Sequence, residues 1–277
     1  MRTGIFSGRM FFAVIILTLG LAGAARGEPS PPKTAGSFDW GLGLVSLRMN
    51  HYRGSDQYKN YFIPLPYFCY KGDMLEAEPS FVRGTFYRGD LITLKLSIMV
   101  GLSVESKENR AREGMPDLGY MFETGPMLIV NLWRSPGRKH QLTLESPLRY
   151  VFATDFTYVR PVGVFGVPFI NFVSYPQQAT GGWQSELSAA AMYGNRSYHG
   201  YFYTVKEEYA RPERPEYHAR GGYSGLQLAW ILNRRFGRIL LIPFFRYDYL
   251  RGAVFEMSPL VLTRHYFAFG LGSFYLF

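Results

Sequence analysis

The chain has 277 residues, 47% of them hydrophobic and 17% aromatic, with a formal charge of +9 and a single cysteine. One cysteine excludes an internal disulfide framework. The basic residues are spread along the chain rather than gathered in one run, which argues against a nucleic-acid surface, since that needs a stripe or patch.

The N-terminus reads as a secretory leader. Arg2 and Arg9 give a positive start, Met10 to Leu19 is almost unbroken apolar sequence, and Leu21-Ala22-Gly23-Ala24-Ala25 supplies small residues. The pattern predicts a signal peptide over 1–24 cleaved after Ala24, with a cut before Glu28 as the alternative. An uncleaved anchor fits less well, because the apolar run is short for a span of ~20 residues. Lipidation needs a cysteine just after the apolar run, and Cys69 is far from it. Residues 25–37 hold three prolines in a polar stretch and read as a periplasmic lead.

From residue 38 onward no apolar run could form a membrane helix. The longest, Ile239 to Phe245, is interrupted by Pro243, and a helix needs ~20 residues. Membrane crossing in 38–277 must therefore use a closed barrel, which satisfies every backbone polar group between strands. Period-two alternation supports it. Ile92, Leu94, Leu96, Ile98, Val100 and Leu102 share one face, and Thr93, Lys95, Ser97 and Glu105 the other. The same pattern recurs at Leu142–Phe152, Trp183–Tyr193 and Ile239–Tyr249. Strands are predicted to begin near Trp40, Phe62, Leu75, Leu91, Met121, Gln141, Gly163, Gly182, Gly200, Gly222, Arg238 and Tyr266. The expected fold is all-β, a transmembrane antiparallel up-and-down barrel of about 12 strands.

An even count puts both termini in the periplasm. Residues 70–73 and 233–237 then make short periplasmic turns, and 50–61, 206–220 and 251–264 make outer loops. The charged stretch 105–118 falls on the periplasmic side, where turns are usually short. Either that stretch is special or the count is wrong by one strand upstream of it. Taken at face value, Lys107, Arg110 and Arg112 form a candidate periplasmic docking set.

The chain ends on an alternating strand. Phe267, Phe269, Leu271, Tyr275 and Phe277 share one face, and Ala268, Gly270 and Gly272 the other. A last strand with a terminal aromatic resembles the assembly signal that the barrel insertion machinery reads by β-augmentation. Outer-membrane lipid is the second expected partner.

No catalytic constellation emerges. The histidines are His51, His140, His199, His218 and His265. A hydrolase needs a serine oxygen, a histidine base and an orienting group within hydrogen-bond reach. The Gly-x-Ser-x-Gly elbow is absent, and His199 near Ser197 is not a triad. No His/Cys cluster has zinc spacing, and Asp248 with Glu256 is a weak cation signal. The expectation is a non-enzyme with no catalytic, cofactor-binding or metal residues and no cofactor. Lys95, Glu123, Glu145, Arg149, Glu186, Arg246 and Asp248 are expected to face the lumen. There they either pair with one another or line a polar pathway.

Several segments run in the order of one known family. They are Tyr52-Arg53-Gly54-Ser55-Asp56 with Pro64-Leu65-Pro66-Tyr67; Gly114-Met115-Pro116-Asp117-Leu118; Glu123-Thr124-Gly125-Pro126; Gly221-Gly222-Tyr223-Ser224-Gly225; and Tyr249-Leu250-Arg251-Gly252 leading to Ser258-Pro259-Leu260-Val261. The chain thereby resembles the MipA/OmpV family of MltA-interacting proteins and their relatives. The resemblance implies an outer-membrane barrel of a Gram-negative bacterium. It also implies a scaffold joining a murein lytic transglycosylase to a murein polymerase. A small-solute pore is the alternative, and a lipid hydrolase a more distant one. The stretch 205–220, with Arg211-Pro212-Glu213-Arg214-Pro215, looks like an insertion.

Overall fold

A computed structural model describes residues 37–71, 75–78, 81–176 and 182–277. The leader over 1–24, its cleavage at Ala24 and nearly all of the lead over 25–37 lie outside the described residues. The strands are β1 (Ser37–Asn50), β2 (Tyr58–Lys71), β3 (Leu75–Glu78), β4 (Phe81–Arg88), β5 (Ile92–Gly101), β6 (Tyr120–Arg134), β7 (His140–Thr154), β8 (Val159–Gly166), β9 (Phe169–Ser174), β10 (Gln184–Gly194), β11 (Gly222–Phe236), β12 (Ile239–Tyr249) and β13 (His265–Leu276). One helix, α1 (Arg196–Tyr203), sits between β10 and β11.

Neighbouring strands pair antiparallel, β10 pairs with β11, and β13 pairs with β1, so the sheet closes on itself. β8 and β9 occupy one place in the ring: both pair with β7 on one side and β10 on the other. Val167 and Pro168 separate them, and proline has no N–H to give the ladder. The result is a twelve-place antiparallel barrel. Closure leaves no sheet edge, which is the condition for strands to cross a bilayer.

The alternation sorts side chains as expected. On β5, Ile92 and Leu94 are exposed and Leu96 and Ile98 half-buried, whereas Thr93, Lys95, Ser97 and Met99 are buried. On β7, Leu144, Leu148 and Tyr150 face out, and Gln141, Thr143, Glu145 and Arg149 face in. On β13, Phe269, Leu271 and Tyr275 stand on the outer face with Phe277 just beyond, while Ala268 and Phe274 are buried. The terminal Phe277 stacks on Trp40 with ring centroids 4.5 Å apart, and its N–H donates to the Trp40 carbonyl. The apolar exterior is thus continuous with aromatic rims, as a barrel in lipid requires.

Two elements differ from the sequence reading and offset one another in the count. β4 was not expected. A bulge between Thr85 and Tyr87 shifts its register against β5, so Phe86 and Tyr87 are both exposed and the period-two signal breaks. In the other direction, the strand expected from Gly200 is the helix α1. The side chain of Asn195 accepts a hydrogen bond from the Tyr198 N–H and caps it. The same oxygen accepts from the Val164 N–H and ties the helix to β8. Gly163 is where the helix end comes closest: at φ +147° its position leaves no room for a Cβ, which would lie 2.3 Å from Asn195 Oδ1.

The extra strand β4 decides the ends of the barrel. The first and last described residues lie at one end, together with the short turns at 89–91, 135–139 and 237–238. The segments 51–57, 102–119, 155–158, 195–221 and 250–264 lie at the other. Short turns mark the periplasmic end and long loops the outer end of such barrels. The stretch 105–118 therefore belongs with the long loops, not with the periplasmic turns.

Candidate functional site

The interior has two chemically distinct walls. Along β1, β2, β11, β12 and β13 it is apolar: Val45, Leu47, Ile63, Leu65, Phe244 and Phe274 form one buried cluster. Along β5 to β10 it is polar around Glu145, Asn171 and Glu186, and apolar toward the outer end, where Met121, Val151, Phe165 and Met192 belong to a second buried cluster. Asn171 donates to Glu186 at 3.0 Å and more weakly to Glu145 at 3.4 Å, and Thr143 donates to Glu145 at 3.0 Å. Nearer the outer end, Arg149 pairs with Glu123 at 3.4 Å and donates from Nε to Ser97 Oγ at 3.1 Å. All seven charged side chains expected to face inward are buried: Lys95, Glu123, Glu145, Arg149 and Glu186 on this wall, and Arg246 and Asp248 on β12.

Asp248 is fully buried between two guanidinium groups. Arg246 grips it with two bonds of 2.8 and 2.7 Å, and Arg53 Nε lies 2.8 Å from Oδ2. Two parallel N–H···O bonds to one carboxylate are the strong form of this interaction. Arg246 and Asp248 share a face as i and i+2 of β12, which the sequence reading saw. Arg53 arrives from the loop 51–57, which it did not; the Tyr52–Asp56 segment was the available signal. Asp248 and Glu256 do not form a cation pair. Asp248 is taken by its arginines, and Glu256 accepts from the Gly252 N–H and pairs with Arg264 at 2.5 Å.

The long loops fold inward and against each other to make a plug with its own core of Leu118, Tyr203, Val205, Leu250, Phe255 and Leu260. Tyr203 stacks on Phe255 at 3.7 Å. Backbone carbonyls are tied across loops by side-chain donors: Tyr52 Oη to Leu260 at 2.7 Å, Tyr203 Oη to Arg53 at 2.9 Å, and Ser258 Oγ to Tyr203 at 2.7 Å. Burial pushes the Tyr52 and Tyr203 phenols far above their ordinary range, so both remain donors. Segments that carried the family resemblance, far apart in sequence, meet in this plug. Below it lies a cavity of about 140 Å³, bounded by Met99, Met127, Arg149, Phe169 and Gln227 from the wall and Phe202 from α1.

The proposed docking residues do not form one exposed set. Arg112 is 2% exposed and donates to the carbonyls of Phe202 and Pro116, locking the loop 102–119 onto α1. Lys107 pairs with Glu105 at 2.7 Å, and Arg110 pairs with Asp56, at the outer end.

A serine–histidine contact does exist, at a place the sequence did not indicate. His199 Nδ1 lies 2.7 Å from the Arg220 carbonyl, so Nδ1 carries the proton and donates. Nε2 is then free to accept from Ser224 Oγ at 3.1 Å. Ser224 Oγ also accepts from Arg53 Nη1 at 3.1 Å. Both residues have no solvent exposure, and neither borders the cavity. The contact holds α1 against β11 and offers a substrate no approach.

Burial, with the Arg53 charge adding to it and the Arg220 carbonyl opposing, holds the His199 pKa down to about 4 from 6.5. The unfolded plug therefore binds this proton before the folded one does. Its contribution to plug stability is whole above pH 6.5 and declines as pH falls from about 6.5 toward 4. The thermal midpoint of the near-ultraviolet circular dichroism signal should drop between pH 7 and pH 5. His199→Gln should flatten that pH dependence. An equally steep dependence in the variant would assign it to other groups.

A protein-family model, MltA-interacting protein MipA, matches residues 42–277. No curated protein matches. Among solved structures, a Pseudomonas aeruginosa FadL homologue aligns over 87% of this chain and 89% of that one, at 9% identity and a TM-score of 0.29; a likeness that distant carries no argument. With the family model spanning nearly the whole barrel, the chain belongs to the MltA-interacting protein MipA family.

Proposed function

We propose that this protein is a non-enzymatic outer-membrane scaffold that holds murein enzymes, a lytic transglycosylase and a murein polymerase, at its periplasmic end. The observation that carries this reading is the closed lumen: one wall is packed with apolar side chains and the outer end is sealed by interlocked loops. A barrel filled by side chains is not a conduit, which weighs against the pore. The buried Ser224–His199 contact weighs against the hydrolase, because a nucleophile must reach its substrate. The family description supports the partner class by naming MltA as the protein with which its members interact. The last strand would serve as the assembly signal through Phe267, Phe269, Leu271, Tyr275 and Phe277, which stand on the outer face toward lipid.

Two measurements on the purified protein test the reading together. Planar-bilayer recordings should show no steady conductance, and immobilised protein should retain the murein lytic transglycosylase of the same cell. A stable open channel without retention would replace the scaffold by the pore.

A further inference from the structure

The two ends of the barrel differ in charge. Across the outer-end segments 51–57, 102–119, 155–158, 195–221 and 250–264, cations and carboxylates are equal in number. At the short-turn end the described residues include Lys71, Arg88, Arg134, Arg138, Lys139, Arg234, Arg235 and Arg238, against Asp39, Glu76, Glu78 and Asp90. Among the described residues, the excess of positive charge is therefore greater at the short-turn, periplasmic end than at the outer end.

Three of these arginines stand on the inner face of the wall. Residues paired directly across antiparallel strands lie on the same face. Arg88 is paired with Thr93, Arg134 with Gln141, and Arg235 with Leu240, and all three partners are buried in the lumen. β4 and β11 lie six places apart in the twelve-place ring, so Arg88 and Arg235 are on opposite walls of the mouth. Arg134 donates to Asn131, and Arg235 lies 3.7 Å from Asp39 with both side chains about half exposed. Lipid headgroups account for Arg234, which faces outward over Phe236 at 4.5 Å and Trp183 at 6.0 Å. They do not account for arginines on the inner face, which the wall separates from the bilayer.

We infer that the arginine-lined periplasmic mouth, through Arg88, Arg134 and Arg235, is a docking site for a carboxylate-rich segment of a periplasmic protein. The charge selects an anion, and the guanidinium fork matches a carboxylate. The far end of the barrel is plugged, so a partner reaches this mouth from the periplasm. The site rests on the scaffold reading and supplies it with a place and a partner chemistry. Electrostatic docking of this kind sets encounter rate and partner choice.

The test uses the full mature chain in nanodiscs of zwitterionic phosphatidylcholine, with a fluorescent oligoglutamate peptide as the probe. Wild-type protein should bind it at low salt and release it as salt rises, because exposed charges are screened over about 10 Å at 0.1 M. The R88Q/R134Q/R235Q variant should bind about tenfold or more weakly. The outer-end control K107S/R110S should bind within about twofold of wild type. R88K/R134K/R235K, which keeps the charge and loses the fork, should be intermediate. Heat-modifiable gel migration confirms that each variant is folded. Unchanged binding in the glutamine variant would overturn the site, as would equal loss in the outer-end control. Loss of probe binding when phosphatidylglycerol is added to the nanodiscs would overturn it in favour of lipid. Probe binding without retention of a lytic transglycosylase would overturn the scaffold reading and leave the acidic-segment site standing.

Discussion

Leu96→Arg is expected to destabilise the barrel in a bilayer by about 2–4 kcal/mol, the cost of an arginine on the lipid face at midplane depth. Leu96 lies halfway along β5, on the face that alternates with the buried Lys95 and Ser97. It is paired with Gly84 on one side and Pro126 on the other, so neither neighbour offers a carboxylate. Unfolding in urea from lipid vesicles reads the effect, with Leu96→Ala as the control for lost packing alone. A loss below about 1 kcal/mol would mean that position 96 does not face hydrocarbon. The sequence alone suggests that Ser97→Arg is much milder, since Ser97 points into a polar lumen. The structure corrects that expectation. Ser97 is 4% exposed and its hydroxyl accepts from Arg149, so a second guanidinium there meets a packed interior and a like charge. Overpacking of this kind costs about 1–3 kcal/mol by itself.

Asp248→Ala should cost about 3–5 kcal/mol, the penalty for removing one partner from a buried ion pair. Arg53 and Arg246 both depend on this carboxylate, and Arg53 carries the loop 51–57 into contact with Ser224 and Tyr203. The variant should therefore lose the plug before it loses the barrel. Limited proteolysis should open the loops 195–221 and 250–264 while heat-modifiable migration persists. Adding Arg53→Met should recover part of the loss, because it removes one of the two stranded charges. A destabilisation below about 1 kcal/mol, or no recovery in the double variant, would show that the arginines find other compensation.

The alternation of apolar and polar residues was sufficient to assign the two faces of β5, β7, β10, β12 and β13, because it depends only on neighbours two positions apart. It also placed Lys95, Glu145 and Asp248 inside. It failed at β4, where the Thr85–Tyr87 bulge breaks the period. It failed again at α1, where Tyr198, Tyr201, Phe202 and Tyr203 have strand propensity and the Asn195 cap was the overlooked signal. Those two misreadings left the count of strands at twelve and reversed the sidedness of everything between them. Lys107, Arg110 and Arg112 were assigned to the periplasm for that reason alone.

By itself, then, the sequence determined the class of fold, the chemistry of its inner and outer faces and the family to which it belongs. Only the tertiary structure decided which loops share an end of the barrel, because sidedness depends on the parity of every strand before a given loop. Nor does any local pattern bring Arg53 to Asp248, Ser224 to His199 or Arg88 opposite Arg235. Those meetings require the ring to close, and closure sets residues far apart along the chain on facing walls of one buried, low-dielectric interior, where an unpaired charge is costly.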